Sequence, residues 1–140
     1  MIPKTGRRAL LTCLFKYGFV PQLIGLVKAD PTPPDIDLEF TDLTEATFAG
    51  YSRIDLTSVT LPEPTIDGSN NGDIISPVLT WTSGTVTSTE VIYGMFAVMA
   101  LGSLGDYFWW FNRWTAPVTI SMPGQEIKRK LNFKANNFTF

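Results

Sequence analysis

Residues 91–101 are apolar in both alternate sets of side chains, and this constrains the fold more than any other part of the chain. One set is Val91, Tyr93, Met95, Ala97 and Met99, and the other is Ile92, Phe96, Val98 and Ala100. A strand with water on one face alternates apolar and polar residues, so this pattern predicts a strand that is covered on both faces. A buried helix gives a similar pattern, but Gly94 and the β-branched Ile92 and Val98 favour a strand. The segment is shorter than the roughly 20 apolar residues that span a bilayer.

The chain has no histidine and a single cysteine, Cys13, among its 140 residues. These counts exclude a disulfide framework within the chain and a zinc site of the usual His/Cys kind. They also remove the common general base and the Ser-His and Cys-His nucleophile pairs. We therefore expect a protein that is not an enzyme and has no cofactor.

The charges are strongly segregated along the chain, although the net charge is only −2. The basic residues at the two ends are Lys4, Arg7, Arg8, Lys16, Lys28, Lys128, Arg129, Lys130 and Lys134. Every carboxylate side chain lies between Asp30 and Glu126. Either the basic ends lie beside the acidic middle of the same molecule, or they dock onto an acidic neighbouring protein. Nucleic acid is a weaker third partner because the total charge is not basic.

The first twenty residues are predicted to form a helical arm. Leu10, Leu14 and Tyr17 recur at helical spacing, and Gly18 stands where a helix commonly ends. A signal peptide is disfavoured because Lys16 interrupts the apolar run and no small-residue cleavage site follows closely. A helix lying on a membrane surface is the minor alternative.

Residues 21–140 are predicted to form one all-β domain. Strands are indicated at residues 23–28, 53–57, 75–81, 91–101, 118–122 and 127–133, and a helix of a turn or two at residues 42–50, with Asp42 as its cap and Glu45 reaching back to it. Pro123 and Gly124 occupy the centre of a type II turn, which predicts a closing hairpin between the last two strands. Arg129 falls on the apolar side of that hairpin and therefore needs an edge position or a partner. Many short strands with little helix indicate an antiparallel β-sandwich of the jelly-roll kind.

Two acidic motifs could carry chemistry, but each has a simpler interpretation. Asp67, Ser69, Asn71 and Asp73 follow the first half of a calcium loop, but Val78 stands where the bidentate glutamate is needed. A polar turn is therefore the favoured interpretation. The acids at positions 35, 37 and 39 could serve glycoside hydrolysis only in a cleft, and a solvated rim is favoured for them.

The aromatic block at residues 107–114 is the strongest candidate for an interaction surface. Its rings could fill a core, form a subunit interface or bind a glycan. With the basic residues at both ends, it defines a predicted interaction surface. The residues of that surface are Arg7, Arg8, Tyr107, Trp109, Trp110, Trp114, Lys128, Arg129 and Lys130.

A series of short segments, in order along most of the chain, resembles a group of small structural proteins of tailed bacteriophages. The segments are residues 6–18, 23–28, 40–54, 79–81, 93–98, 114–119 and 124–133. Residues 40–54, for example, are similar to the pattern FTEATFxGYARV of that group. The basic cluster at residues 128–130 and the dense aromatic block depart from the pattern. The resemblance implies a virion component without catalytic residues, on the head or on the tail.

From these observations we expect a non-enzymatic virion protein that binds and stabilises the shell of a bacteriophage head. Its partner would be the major capsid protein or another virion protein, and its own state a homotrimer, with no nucleic acid and no membrane. The alternative is a tail or spike module that binds a host glycan. A small glycan hydrolase is the least favoured hypothesis, since histidine and a paired-acid motif are both missing.

Overall fold

The computed structural model describes residues 22–30, 40–63, 65–66, 72–100, 103 and 105–135. These residues form nine strands: β1 Gln22–Val27, β2 Ile54–Asp55, β3 Thr65–Ile66, β4 Gly72–Ile75, β5 Leu79–Thr82, β6 Glu90–Ala100, β7 Asp106–Ile120, β8 Glu126–Arg129 and β9 Asn132–Ala135. Helical structure in the described part is limited to short 3₁₀ segments such as Phe40–Asp42 and Leu56–Ser58. The predicted all-β class is confirmed. The predicted N-terminal helix and Cys13 lie outside the described residues.

All strand pairs between the nine strands are antiparallel, and they make three sheets. The largest has the order β2-β1-β6-β7, the next is β3-β4-β9, and β5 pairs with β8 alone. One buried cluster, here called the large cluster, takes side chains from all three sheets. It consists of Ile24, Leu26, Ala46, Phe48, Leu56, Leu61, Ile74, Leu79, Trp81, Ile92, Met95, Ala97, Trp114, Ile120, Ile127 and Leu131. Burial of this shared apolar surface holds the three sheets together.

Strand β6 is the central strand that the sequence predicts, with both of its faces covered. Met95 and Ala97 belong to the large cluster, whereas Phe96 and Val98 join Val27 in a separate small cluster on the other face. Gly25 lies opposite Phe96 on β1, where a Cβ atom would collide with the Phe96 ring.

One detail of the predicted faces of β6 is wrong. Ile92 lies in the large cluster with Met95 and Ala97, not on the face of Phe96. The ladder with β7 shifts register between Ile92 and Gly94, so the regular pairing of the two strands is interrupted beside Ile92.

Strand β7 runs through the whole aromatic block and pairs with β6 in three registers separated by two shifts. Gly94 pairs with Arg113 and Ile92 with Val118, so residues 114–117 of β7 stand opposite Tyr93 alone. We call these residues the β7 bulge. Pro117 lies in it, as expected for proline, which cannot donate to a regular ladder.

The predicted closing hairpin is wrong in its pairing, although its turn forms. Gly124 has a φ of 76°, as the third position of a type II turn requires. The strand that follows pairs with β5 and not with β7. Ser83 explains the redirection, because its Oγ donates to Met122 O at 2.6 Å and accepts from Gln125 N–H at 3.0 Å. Gly124 N–H also donates to Ser83 O at 2.8 Å, which ties the turn to the end of β5.

The predicted helix at residues 42–50 is also wrong, because tertiary pairing takes its backbone groups. The 3₁₀ segment ends at Asp42, and Glu45 forms an antiparallel bridge with Val27. Ala46 N–H donates to Leu26 O at 2.9 Å, so the segment runs along β1 as an irregular extension of the sheet. In the part of the chain that the structure describes, no helix is long and apolar enough to cross a membrane.

Candidate interaction surface

The structure places part of the predicted interface set on two neighbouring strands. Trp110 and Trp114 lie on β7, and Arg129 ends β8 with Lys128 before it and Lys130 after it. Arg7 and Arg8 lie outside the described residues. For Tyr107 and Trp109 the structure describes only their place on β7.

Trp110 and Trp114 contribute to the core. Trp114 is 7% exposed and belongs to the large cluster, and the partly buried Trp110 packs against the same cluster. Phe108 and Phe111 pack against the small cluster on the other face of the sheet. The buried ring of Trp114 offers no free face on which a sugar could stack.

Arg129 has found the partner that its position on an apolar face requires. Its Cζ lies 4.3 Å from the centre of the Trp114 ring, a close cation–π contact. Its Nη1 donates to Lys128 O at 2.9 Å. The guanidinium is therefore fixed in direction, yet within the described ranges no carboxylate forms an ion pair with it.

A shallow depression of about 340 Å³ opens where the β7 bulge meets Arg129. It is lined by Asn112, Arg113, Trp114, Thr115, Ala116 and Arg129. Two of these side chains are cationic and none is acidic. The shape follows from the bulge, because the extra residues of β7 bend away from the ladder at this point.

Arg113, the other arginine of the depression, already holds a carboxylate. Its Nε and Nη2 donate to the two oxygens of Asp30 at 2.8 and 2.9 Å, a bidentate pair. The hydrogen bond from Arg113 lowers the pKa of the Asp30 carboxyl. The same pairing raises the pKa of Arg113.

The indole N–H of Trp114 is buried and has no hydrogen-bond partner among the described residues. Trp81, which belongs to the same buried cluster, donates its Nε1–H to Ser52 O at 3.1 Å. An unsatisfied buried donor costs roughly 1–3 kcal/mol, so it is an unusual feature of a native structure.

Lys128 and Lys130 form the basic rim of this region. Lys128 Nζ lies 2.9 Å from Glu126 Oε2, with both side chains largely exposed. Lys130 is exposed and makes no ion pair with any residue of the described segments. Lys134 also lies on β9, but its side chain is outside the description.

The acids of the middle region that form ion pairs mostly do so with other cations. Arg53 binds Glu45 and Asp106, and Lys28 Nζ lies 3.7 Å from Glu90. Burial opposes ionisation of Glu90, but hydrogen bonds from Thr47 outweigh it and lower the pKa of its carboxyl. For residues 128–130, only Glu126, two positions from Lys128, supplies a charge partner within the described part of the chain.

Most residues of the two acidic motifs lie outside the residues that the structure describes. This holds for residues 67–71 of the calcium-like loop and for the acids at positions 35, 37 and 39. Asp73 is described at the paired end of β4, and its Oδ1 is buried without a hydrogen-bond partner in the described part. The described residues hold no group of three or more His, Cys, Asp or Glu side chains that could bind a metal ion.

Sequence reasoning missed Arg113 and the β7 bulge as parts of the candidate surface. Pro117 was the available signal, since a proline within a strand pattern indicates an edge or a bulge. Arg113 gave no comparable signal, because its partner Asp30 is distant in the sequence.

Three comparisons with known proteins found no match. No protein-family model, no curated protein and no solved structure is similar to this chain.

Proposed function

We propose that the chain is a non-enzymatic structural protein of a bacteriophage virion that binds the outer surface of the head shell and stabilises it. In this proposal it is a cement or decoration protein, located on the virion and bound to the major capsid protein as a homotrimer. The proposal also includes a jelly-roll-like sandwich fold for residues 21–140. The core shared by three antiparallel sheets supports that fold.

The observation that carries the function is the basic end of β8. Lys130 and Arg129 have no ion pair with the described acids, and Lys128 has only its exposed neighbour Glu126. Charge that is not neutralised within a molecule can complement an acidic partner and orient it. The resemblance to phage structural proteins implies another virion protein as that partner, and the proposal takes it to be the major capsid protein.

Binding to shells tests the proposal directly. Shells prepared without this protein are mixed with the purified chain and sedimented, and their resistance to heat is then measured. We expect saturable binding that weakens as salt is added, together with a higher temperature of shell disruption. Shells that neither bind the chain nor gain resistance would contradict the proposal.

A matched pair of charge variants assigns the binding to the proposed surface. Lys130→Gln should weaken shell binding, because it removes one positive charge from the basic rim. Thr60→Glu changes the net charge by the same single unit at an exposed position outside β5 and β8 and should bind as the unchanged chain does. Equal weakening by both variants would indicate a general charge effect and count against this surface.

A further inference from the structure

The depression at the β7 bulge contains a cation that is held in place but not neutralised. Arg129 lies 4.3 Å from the Trp114 ring centre and donates one N–H to Lys128 O. A guanidinium carries five N–H donors, so most of its hydrogen-bonding capacity is unused by the contacts described. Fixing such a side chain in advance lowers the entropy cost of binding an anion.

The chemistry of the missing partner can be read from the other arginine of the depression. Arg113 binds Asp30 through two parallel hydrogen bonds at 2.8 and 2.9 Å. Arg129 is the same donor type in the same depression, and no described carboxylate reaches it. A carboxylate from outside is therefore the complementary group.

The indole of Trp114 is an independent indication that the site is incomplete. It lines the depression and is nine-tenths buried, and its Nε1–H has no partner in the described part of the chain. A small rearrangement on binding would let this donor be satisfied, and an unsatisfied buried donor favours such a change.

We propose that this depression binds the carboxylate of an aspartate or glutamate side chain of the shell protein. The inference rests on the proposed function and names the contact that serves it. Lys128 and Lys130 beside Arg129 make the rim basic, so a segment with further acids fits better than an isolated one.

Nuclear magnetic resonance on the unmodified chain provides the first test. The probe is an acetylated and amidated Gly-Glu-Gly peptide, and the control is Gly-Gln-Gly, which differs only in the carboxylate. We expect the glutamate peptide alone to shift the Arg129 Nε–H and Trp114 Nε1–H signals at millimolar concentration. No shift, or an equal shift with the glutamine peptide, would overturn the inference.

Two variants keep the test specific to the guanidinium. Arg129→Gln should weaken binding of the glutamate peptide on the order of tenfold, since it removes a charge-assisted hydrogen bond. Arg129→Lys retains the charge but not the bidentate geometry. Its affinity for the glutamate peptide should therefore lie between the affinities of the unmodified chain and Arg129→Gln. Thermal unfolding of each variant identifies any loss of fold, and the experiment on the unmodified chain does not depend on them.

The shell assay separates failure of this inference from failure of the proposed function. If the chain binds shells and Arg129→Gln binds them equally well, the inference fails and the function stands. If the chain does not bind shells, the function fails, and with it the shell protein as the source of the carboxylate. Glucuronate with glucose as its control forms a third arm, and shifts by glucuronate without shifts by the peptide would assign the site to a glycan and overturn the inference.

Discussion

Arg53 and Arg129 both lie against aromatic rings, but among the described residues only Arg53 is also paired with carboxylates. Arg53 lies 5.6 Å from the Phe40 ring centre and 5.4 Å from that of Phe96. Its Nε and Nη2 donate to Glu45 at 2.8 and 2.9 Å, and its Nη1 donates to Asp106 at 2.7 Å. Arg129 contacts the Trp114 ring and donates a hydrogen bond to Lys128 O, but no carboxylate among the described residues pairs with it.

The comparison separates a structural cation from one that is available to a partner. The hydrogen bonds that Arg53 donates to Glu45 raise the pKa of Arg53, and Tyr51 donates its O–H to the same carboxylate at 2.7 Å. Burial, reinforced by that hydrogen bond, raises the pKa of the Tyr51 hydroxyl. The charge of Arg53 is thus paired with two carboxylates, one of them Asp106 of the large sheet. The charge of Arg129 contacts the Trp114 ring but pairs with no carboxylate in the described structure.

The largest effect is expected from removing the ring that supports the Arg53 site. Phe96 is fully buried and contacts both Phe40 and Arg53. Phe96→Ala should lower the free energy of unfolding by about 4 kcal/mol, because it leaves a cavity in the small cluster. Denaturant unfolding measures this. Met122→Ala is the control, because Met122 is 62% exposed, and its effect should stay within about 0.5 kcal/mol.

A second prediction exchanges each arginine for a residue of similar length. Arg53→Met should cost about 2–3 kcal/mol, since it leaves the partly buried Glu45 without its cation. Arg129→Met should cost about 1 kcal/mol or less, because methionine can still cover Trp114 and no acid loses a partner. Equal losses in denaturant unfolding would remove the distinction between the two sites.

The loss of stability at low pH should depend on the Arg53 site and not on Arg129. Burial opposes ionisation of Glu45, but the hydrogen bonds from Arg53 and Tyr51 prevail and lower the pKa of Glu45 below its ordinary value of 4.5. A carboxyl whose pKa is lower in the folded state stabilises the fold above pH 4.5 and loses that stabilisation as the pH falls through the folded pKa.

Unfolding measured from pH 7 downward therefore tests the same comparison. We expect the stability of the unchanged chain to fall below about pH 4.5. Arg53→Met should flatten this decline, whereas Arg129→Met should keep it. A decline that is steeper in Arg53→Met than in the unchanged chain would contradict the assignment.

Features that depend on a single strand were predicted from the sequence, whereas features that depend on how two strands pair were not. The apolar pattern around Phe96 needs only a strand with two covered faces, and β6 is such a strand. The face of Ile92 could not be predicted, because the register shift beside it is set by β7. The Pro123-Gly124 turn was predicted from local chemistry, but contacts of Ser83, which is distant in the sequence, direct the following strand to pair with β5.

The candidate surface shows the same division. A cation on the apolar side of a strand needs a partner, and this much was predicted for Arg129. That the partner is Trp114 depends on how β8 lies against β7, which no local pattern contains. The capping pattern of Asp42 and Glu45 was similarly misleading, because Glu45 is taken by a bridge to Val27 and by the contact with Arg53.

The smallest effect is expected at the basic rim, and it completes the comparison. Lys128 and Glu126 are 59% and 47% exposed, so a double-mutant cycle of Lys128→Gln and Glu126→Gln should give a coupling of about 0.5 kcal/mol or less. The same cycle for Arg53→Gln and Glu45→Gln should give a clearly larger coupling, because that pair is bidentate and less exposed. Denaturant unfolding at low and high salt measures both, and only the Lys128 coupling should vanish at high salt. A strong, salt-resistant coupling at Lys128 would mean that the rim stabilises this fold, and its charge would then be less available to a partner.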